Sequence, residues 1–129
     1  MNFKSSIKSV LSKYVRFEGR ASRSEYWYWI LALVLTSILL SIIDGALLAP
    51  LMGFEQFDPQ AGQPLRMLLS IVVLLPSLAV AARRLHDIGR SGWWLLIQLI
   101  PIIGSLILLW WLIQRGDEQP NEYGNPPES

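Results

Sequence analysis

Residues 26–43 read YWYWILALVLTSILLSII, a stretch with no charged side chain. A helix needs about 20 consecutive apolar residues to cross the roughly 30 Å hydrocarbon core of a bilayer. The apolar character continues to Leu48, interrupted only by Asp44. Residues 23–48 are therefore expected to form a transmembrane helix. Ser22 and Glu25 stand at its start with capping-box spacing, so Ser22 can accept an amide of the first turn while Glu25 reaches back.

Two further runs have similar length, residues 65–85 with Pro76 and residues 93–113 with Pro101 and Gly104. A proline inside a helix frees the carbonyl one turn earlier and is expected to kink it, which membrane helices tolerate when neighbours repair the bonding. Between the first two runs, residues 49–64 hold Pro50, Gly53, Glu55, Asp58, Pro59, Gly62 and Pro64, which reads as a loop. The expected fold class is all-α: a polytopic helical membrane protein with three transmembrane helices at 23–48, 65–85 and 93–113. An N-terminal amphipathic interfacial helix at 2–17 and an irregular tail at 114–129 complete a single membrane domain, 1–129.

Composition agrees with that reading. The 129 residues are 52% hydrophobic and only 16% charged, against about 25% charged in ordinary soluble domains. The absence of cysteine excludes disulfide frameworks, thiolate metal sites, iron–sulfur clusters and cysteine nucleophiles. His86 is the one histidine, so no site of several imidazoles can form within a chain. No cofactor or metal is expected. Three runs leave no room for an inverted-repeat transporter in one chain, and the first run is too long for the apolar region of a signal peptide.

In residues 2–17, Phe3, Ile7, Val10, Leu11, Tyr14 and Phe17 recur at helical spacing, with Lys4, Lys8, Lys13 and Arg16 between them. A basic face opposite an apolar stripe describes a helix lying in a membrane interface. Docking on the protein's own surface gives the same pattern.

Basic residues accumulate on the cytoplasmic side of membrane proteins. Residues 1–25 and 83–92 carry nine of the eleven Lys and Arg, leaving Arg66 and Arg115 elsewhere. Three spans place both segments on one side, so the N-terminus is expected in the cytoplasm, with the 49–64 loop and the tail outside. Trp27, Trp29, Trp93, Trp94, Trp110 and Trp111 mark span ends, where amphipathic rings prefer to lie. Alternatively, Pro101-Ile102-Ile103-Gly104 could turn a re-entrant hairpin. Both tryptophan pairs of that run would then meet at one face, and the tail would be cytoplasmic.

The candidate polar cluster is Arg20, Arg23, Glu25, Arg83, Arg84, His86, Asp87 and Arg90. If the second helix continues past the membrane, Arg83, Asp87 and Arg90 share a face and Asp87 can pair with either arginine. These charges could pair among themselves as stop-transfer residues, or surround an anionic lipid headgroup, as basic pockets at cytoplasmic helix ends do. Asp44 is the one acid inside an apolar run, a position that is functional or anchors the helix end at the interface. Ser37, Ser41 and Gly45 recur every four residues, a spacing that lets helices approach closely, within the chain or in a homodimer. Gly89-Arg90-Ser91-Gly92 looks like a serine-nucleophile turn but lacks its flanking strand.

Three stretches carry a wider resemblance: Gly19-Arg20-Ala21-Ser22-Arg23-Ser24-Glu25-Tyr26-Trp27, then residues 83–94 from Arg83-Arg84-Leu85-His86-Asp87 to Trp93-Trp94, then Asn121-Glu122-Tyr123-Gly124-Asn125-Pro126. In this order they resemble the domain-of-unknown-function 805 family of small bacterial inner-membrane proteins, from about Tyr14 to Pro126. The resemblance implies a bacterial plasma-membrane location and a multi-span helical fold, and no activity. It maps the family's motif residues onto Arg20, Arg23, Glu25, Arg83, Arg84, His86, Asp87 and Arg90. The family usually has an aspartate before the proline of the last motif, where this chain has Asn125.

These readings predict a non-enzymatic integral membrane protein that binds lipid or a partner through its cytoplasmic Arg/His/Asp cluster. The expected partners are the lipid bilayer, anionic lipid headgroups and a membrane-protein partner or second copy, with no nucleic acid. The alternative is an oligomeric small transporter or channel subunit, suggested by Asp44, Pro76, Pro101 and the small-residue stripe.

Overall fold

A computed structural model describes residues 2–127. Five α-helices form: α1 (Phe3–Ser12), α2 (Arg23–Ile43), α3 (Ala49–Leu51), α4 (Pro64–Asp87) and α5 (Ile103–Ile113). A π-helical segment, Asp44–Leu48, joins α2 to α3, and 3-10 helices cover Pro59–Ala61 and Gly92–Leu99. No strand occurs among the described residues; Asn121 and Gly124 form an isolated bridge. The chain divides into two compact units, one from the chain up to Trp29 and from Leu75 onward, the other from Ile30–Leu74.

Among the described residues, two helices are long and apolar enough to cross a membrane, Arg23–Leu51 with 29 residues and Pro64–Asp87 with 24. The third run is not one straight helix. It is a 3-10 helix, a turn at Pro101 and Ile102, and α5, folded back so that the two helical segments pack together. Pro101 has no amide to continue a helix. Ile102 sits at φ +65, a strained conformation for a β-branched residue. Gly104 lies so close to the Ile97 carbonyl that no side chain fits there. Consequently Trp94 and Trp111, from opposite ends of the run, meet edge to face with centroids 5.5 Å apart.

In the first unit, Leu85, Leu108 and Leu112 form one buried cluster, flanked by Tyr26, Trp27, Ile88, Leu95, Ile97 and Trp111, and Val10, Trp29 and Val80 are buried elsewhere in it. Helix α1 is shorter than expected. It is opened by an Asn2–Ser5 capping box and ends at Ser12, where the Ser12 hydroxyl and the Lys13 amide take the Ser9 carbonyl. Its stripe divides: Val10 is buried beside Ser6, while Phe3 and Leu11 stay exposed. Phe3 also meets Tyr28 edge to face at 5.9 Å. Helix α1 thus docks on its own unit and keeps an apolar flank outward.

The start of α2 forms half of the expected capping box. The Glu25 amide donates to Ser22 Oγ at 3.2 Å, but the Glu25 carboxylate turns away to other partners. Helix α4 passes through Pro76 without a break and ends at Asp87, and the turn after it holds Gly89, whose φ of +76 favours glycine. The Arg90 amide donates to the Leu85 carbonyl and the Gly89 amide to that of His86, the pattern of a Schellman ending. The tail expected over 114–129 is irregular where described; residues 128 and 129 lie outside the described residues.

In the second unit, Asp44 is fully buried and accepts the amides of Leu65 at 3.0 Å and Arg66 at 3.1 Å. These are orphan donors at the first turn of α4, and a carboxylate is favoured there by the helix dipole. Asp44 is therefore a cap supplied from another helix. The π segment that begins at Asp44 shifts the hydrogen-bond register, so the Gly45 carbonyl accepts from the Phe57 amide and the Ala46 carbonyl from Gln56 Nε2. The Phe57 ring occupies the space where Gly45 would carry a side chain. In the small-residue stripe, Gly45 thus receives a loop residue. Removing the cap with Asp44→Ala is expected to lower unfolding stability in micelles by about 1–2 kcal/mol. Asp44→Asn, which keeps one acceptor oxygen, should recover part of it. Unchanged stability of Asp44→Ala in a denaturant titration contradicts the capping role.

Candidate functional site

The end of α4 carries two arginines and an aspartate that face the protein interior. Arg83, Arg84 and Asp87 are buried, as are Arg20 and Glu25 from the segment before and into α2. Arginine does not shed its charge, and its planar head carries five N–H donors that need acceptors when buried.

Arg20 satisfies all five. Nε donates to Asp87 Oδ1 at 2.9 Å, Nη1 to the Gln119 and Gly124 carbonyls, and Nη2 to the Asp87 and Asp117 carbonyls. Three of those acceptors are tail backbone, so one side chain holds the tail against α4. Arg84 pairs with Asp87 Oδ2 at 2.9 Å through Nη1 and donates to the Leu112 and Gln114 carbonyls. Both carbonyls lie at the end of α5, where helix geometry leaves acceptors unpaired. Arg83 pairs with Glu25 Oε2 at 2.6 Å and donates from Nε to the Arg16 carbonyl. Glu25 Oε1 accepts from Ser9 Oγ, tying α1 to the same network. Arg83 Nη2 is buried with no protein partner among the described residues.

The expected pairing of Asp87 with Arg83 or Arg90 does not occur. Asp87 lies between Arg20 and Arg84, three residues earlier on its helix. Gly89 ends the helix before Arg90, which therefore leaves that face and stacks its guanidinium over Trp111 at 4.1 Å. Arg23 is exposed and reaches the Ile113 carbonyl at 3.3 Å. Asp44 belongs to the other unit and is no part of this cluster.

His86 Nδ1 lies 2.8 Å from the Gly19 carbonyl. A carbonyl only accepts, so Nδ1 carries a proton, and in the neutral ring Nε2 is an acceptor. The ring stacks on Tyr123 at 4.0 Å, nearly parallel. Asn121 Nδ2 donates to the His86 carbonyl and to Asp117 Oδ2. A side chain at Gly116 would collide with the Asp87 carboxylate. Ser9, Gly116, Asn121 and Tyr123 escaped the charge-based reading. The tail stretch containing Asn121 and Tyr123 was visible only as a family motif, because backbone acceptors leave no mark in charge or hydropathy.

Beside His86 lies a groove of about 420 Å³ between the C-terminal half of α4 and the Gly92–Leu99 helix. Leu78, Ala82 and Leu96 line it, with Phe17 and Trp93 at its sides and His86 and Ser91 as its polar groups.

The family model described as "Protein of unknown function (DUF805)" matches residues 14–125. The chain belongs to that family. Inner membrane protein YhaH of Escherichia coli (strain K12) is 40% identical over 119 residues, covering 92% of this chain and 93% of that protein. Inner membrane protein YhaI of the same strain is 40% identical over 120 residues, covering 93% and 92% respectively. No solved structure matches. The matched residues of this DUF805 chain include every member of the polar cluster.

Breaking a buried ion pair on one side leaves an uncompensated charge. Arg83→Met is therefore expected to destabilise the protein by about 3–5 kcal/mol, and the double variant Arg83→Met/Glu25→Leu to be clearly more stable than Arg83→Met alone. Thermal unfolding of the four proteins in detergent measures the coupling. Simple additivity of the two single effects argues against the pair.

Proposed function

We propose that this DUF805 chain is a non-enzymatic, multi-pass protein of the bacterial inner membrane whose cytoplasmic face binds membrane lipid. The relatives named above support the location. The composition supports it too: α2 and α4 leave Leu31, Leu35, Ile38, Leu39, Leu68, Ile71 and Leu75 exposed. Soluble monomers rarely carry apolar patches of such extent.

The carrying observation is the fold-back of the third run. Its eight-residue 3-10 arm and its eleven-residue α arm each rise about 16 Å, near half the hydrocarbon thickness. A re-entrant hairpin of that depth enters and leaves on one face. The tail then shares the face of residues 1–25 and 83–92, which gathers ten of the eleven basic residues, all but Arg66. The positive-inside rule makes that face cytoplasmic. In this reading Arg20, Arg83 and Arg84 act as a lock that holds the cytoplasmic face together, and their donors are mostly engaged. His86 and Asp87 point to separate partners, which supports a binding role over acid–base catalysis.

One observation favours a homo-oligomer as well. The turn residues Ile100, Ile102 and Ile103 are exposed, and irregular backbone at membrane depth needs cover from other protein. Cross-linking through Ile102→Cys should give a dimer in native membranes. Monomer alone removes this addition.

The topology is directly testable because the chain has no cysteine. Lys4→Cys and Glu122→Cys should both react with a membrane-impermeant maleimide only after the cytoplasmic side is opened. Gln60→Cys should react from outside. External labelling of Glu122→Cys restores a straight third span and overturns the re-entrant reading.

A further inference from the structure

The groove beside His86 is not filled by the protein's own side chains. Its 420 Å³ volume lies within the roughly 300–1,000 Å³ range of small-ligand sites, which pair apolar walls with a few placed polar groups. The walls come from Leu78 on α4, Leu96 on the hairpin and Phe17, and Trp93, 80% exposed, stands at the rim. Gly92 approaches Ala82 so closely that a methyl group there would lie 2.9 Å from the Ala82 side chain. This contact joins the hairpin arm to α4, the two elements that supply most of the walls.

Two polar groups on this groove have unused capacity. His86 Nδ1 is committed to the Gly19 carbonyl, so the neutral ring offers Nε2 as an acceptor. No partner for Nε2 occurs among the described residues. Ser91 Oγ accepts the Trp93 amide at 3.3 Å, which leaves its hydroxyl proton to donate. One acceptor and one donor therefore stand together at one apolar groove. In a bilayer such a groove is not left empty, and unpaired polar groups near hydrocarbon are costly.

We propose that this groove holds one glycerophospholipid, with an acyl chain along Leu78 and Leu96 and a headgroup bearing an N–H donor hydrogen-bonded to His86 Nε2. Ser91 donates to a phosphate oxygen of the same headgroup. An ethanolamine headgroup offers that N–H donor, and a choline headgroup has none. The site therefore discriminates between these two headgroups of equal net charge. The inference rests on the membrane reading above and deepens it by naming the lipid class and its contacts.

The test reconstitutes the full chain in nanodiscs containing equal phosphatidylethanolamine and phosphatidylcholine of matched acyl chains. The protein is then released into mild detergent, and native mass spectrometry counts the lipids retained. One lipid per chain is expected, with ethanolamine favoured over choline on the order of tenfold, the size of one good hydrogen bond. His86→Asn keeps a donor for the Gly19 carbonyl at the Nδ1 position but removes Nε2, so it should erase the headgroup preference. Leu96→Trp fills the groove and should abolish retention, with helicity and melting unchanged. A lipid-free wild-type chain, a retained ratio equal to that of the nanodisc, or a lipid-free dimer overturns the proposal. So does wild-type behaviour of both variants. Alkaline extraction of native membranes separates the two levels: a chain released into the soluble fraction sinks the membrane reading itself, whereas a membrane-retained but lipid-free chain sinks only the groove.

Discussion

Three guanidinium groups lie in the interior of one unit, and none of them can become neutral there. Their need for acceptors organises what surrounds them. Arg20 collects carbonyls from the tail, Arg84 collects carbonyls from the end of α5, and Arg83 collects the Arg16 carbonyl and Glu25. Leu85, Leu108 and Leu112 form one buried apolar cluster of this unit, and Val10, Trp29 and Val80 are buried in the unit as well. Apolar contact is non-directional, whereas each hydrogen bond to Arg20 fixes a position for the tail. Buried ion pairs add little net stability relative to apolar packing, yet they penalise any arrangement that leaves one member alone. The polar network therefore selects a single geometry for segments that the apolar core does not specify.

Much of this architecture is legible in the sequence, because it rests on run lengths and punctuation. The uncharged stretch 26–43 and the glycine- and proline-rich loop before Pro64 each have a local cause. The course of residues 93–113 has no local cause that decides it. Pro101 and Gly104 are compatible with a kinked span and with a turn. The fold-back is fixed by groups distant in sequence, since Arg84 on α4 needs the Leu112 and Gln114 carbonyls. A backbone acceptor is present at every residue, so sequence pattern does not reveal which ones a buried arginine will choose.

Charge pattern pointed to Arg20, Glu25, Arg83, Arg84 and Asp87, which the structure buries together, but not to how they pair. Helical spacing offered Asp87 the partners Arg83 and Arg90. The helix stops between Asp87 and Arg90, and Arg20, which is 67 positions away, takes one carboxylate oxygen. The amphipathic pattern of α1 was equally ambiguous. The same residues describe a helix on a membrane and one on a protein, and the buried Ser6 and Val10 with the exposed Phe3 and Leu11 satisfy part of each description.

Asp44 and Arg84 obey one rule in two places. A helix end leaves four amides or four carbonyls without partners, and these cannot be left bare where water is scarce. At the start of α4 the Asp44 carboxylate of the π-helical segment accepts two amides. At the end of α5 a guanidinium from α4 donates to two carbonyls. Each charge matches the sign of the helix dipole it meets. A chain with so few charged residues has placed two of them where helix-end amides and carbonyls would otherwise lack partners. Asp44 and Arg84 are thereby engaged by backbone groups at helix ends, which separates them from His86 and Ser91, whose hydrogen-bonding capacity is not fully used by the protein itself.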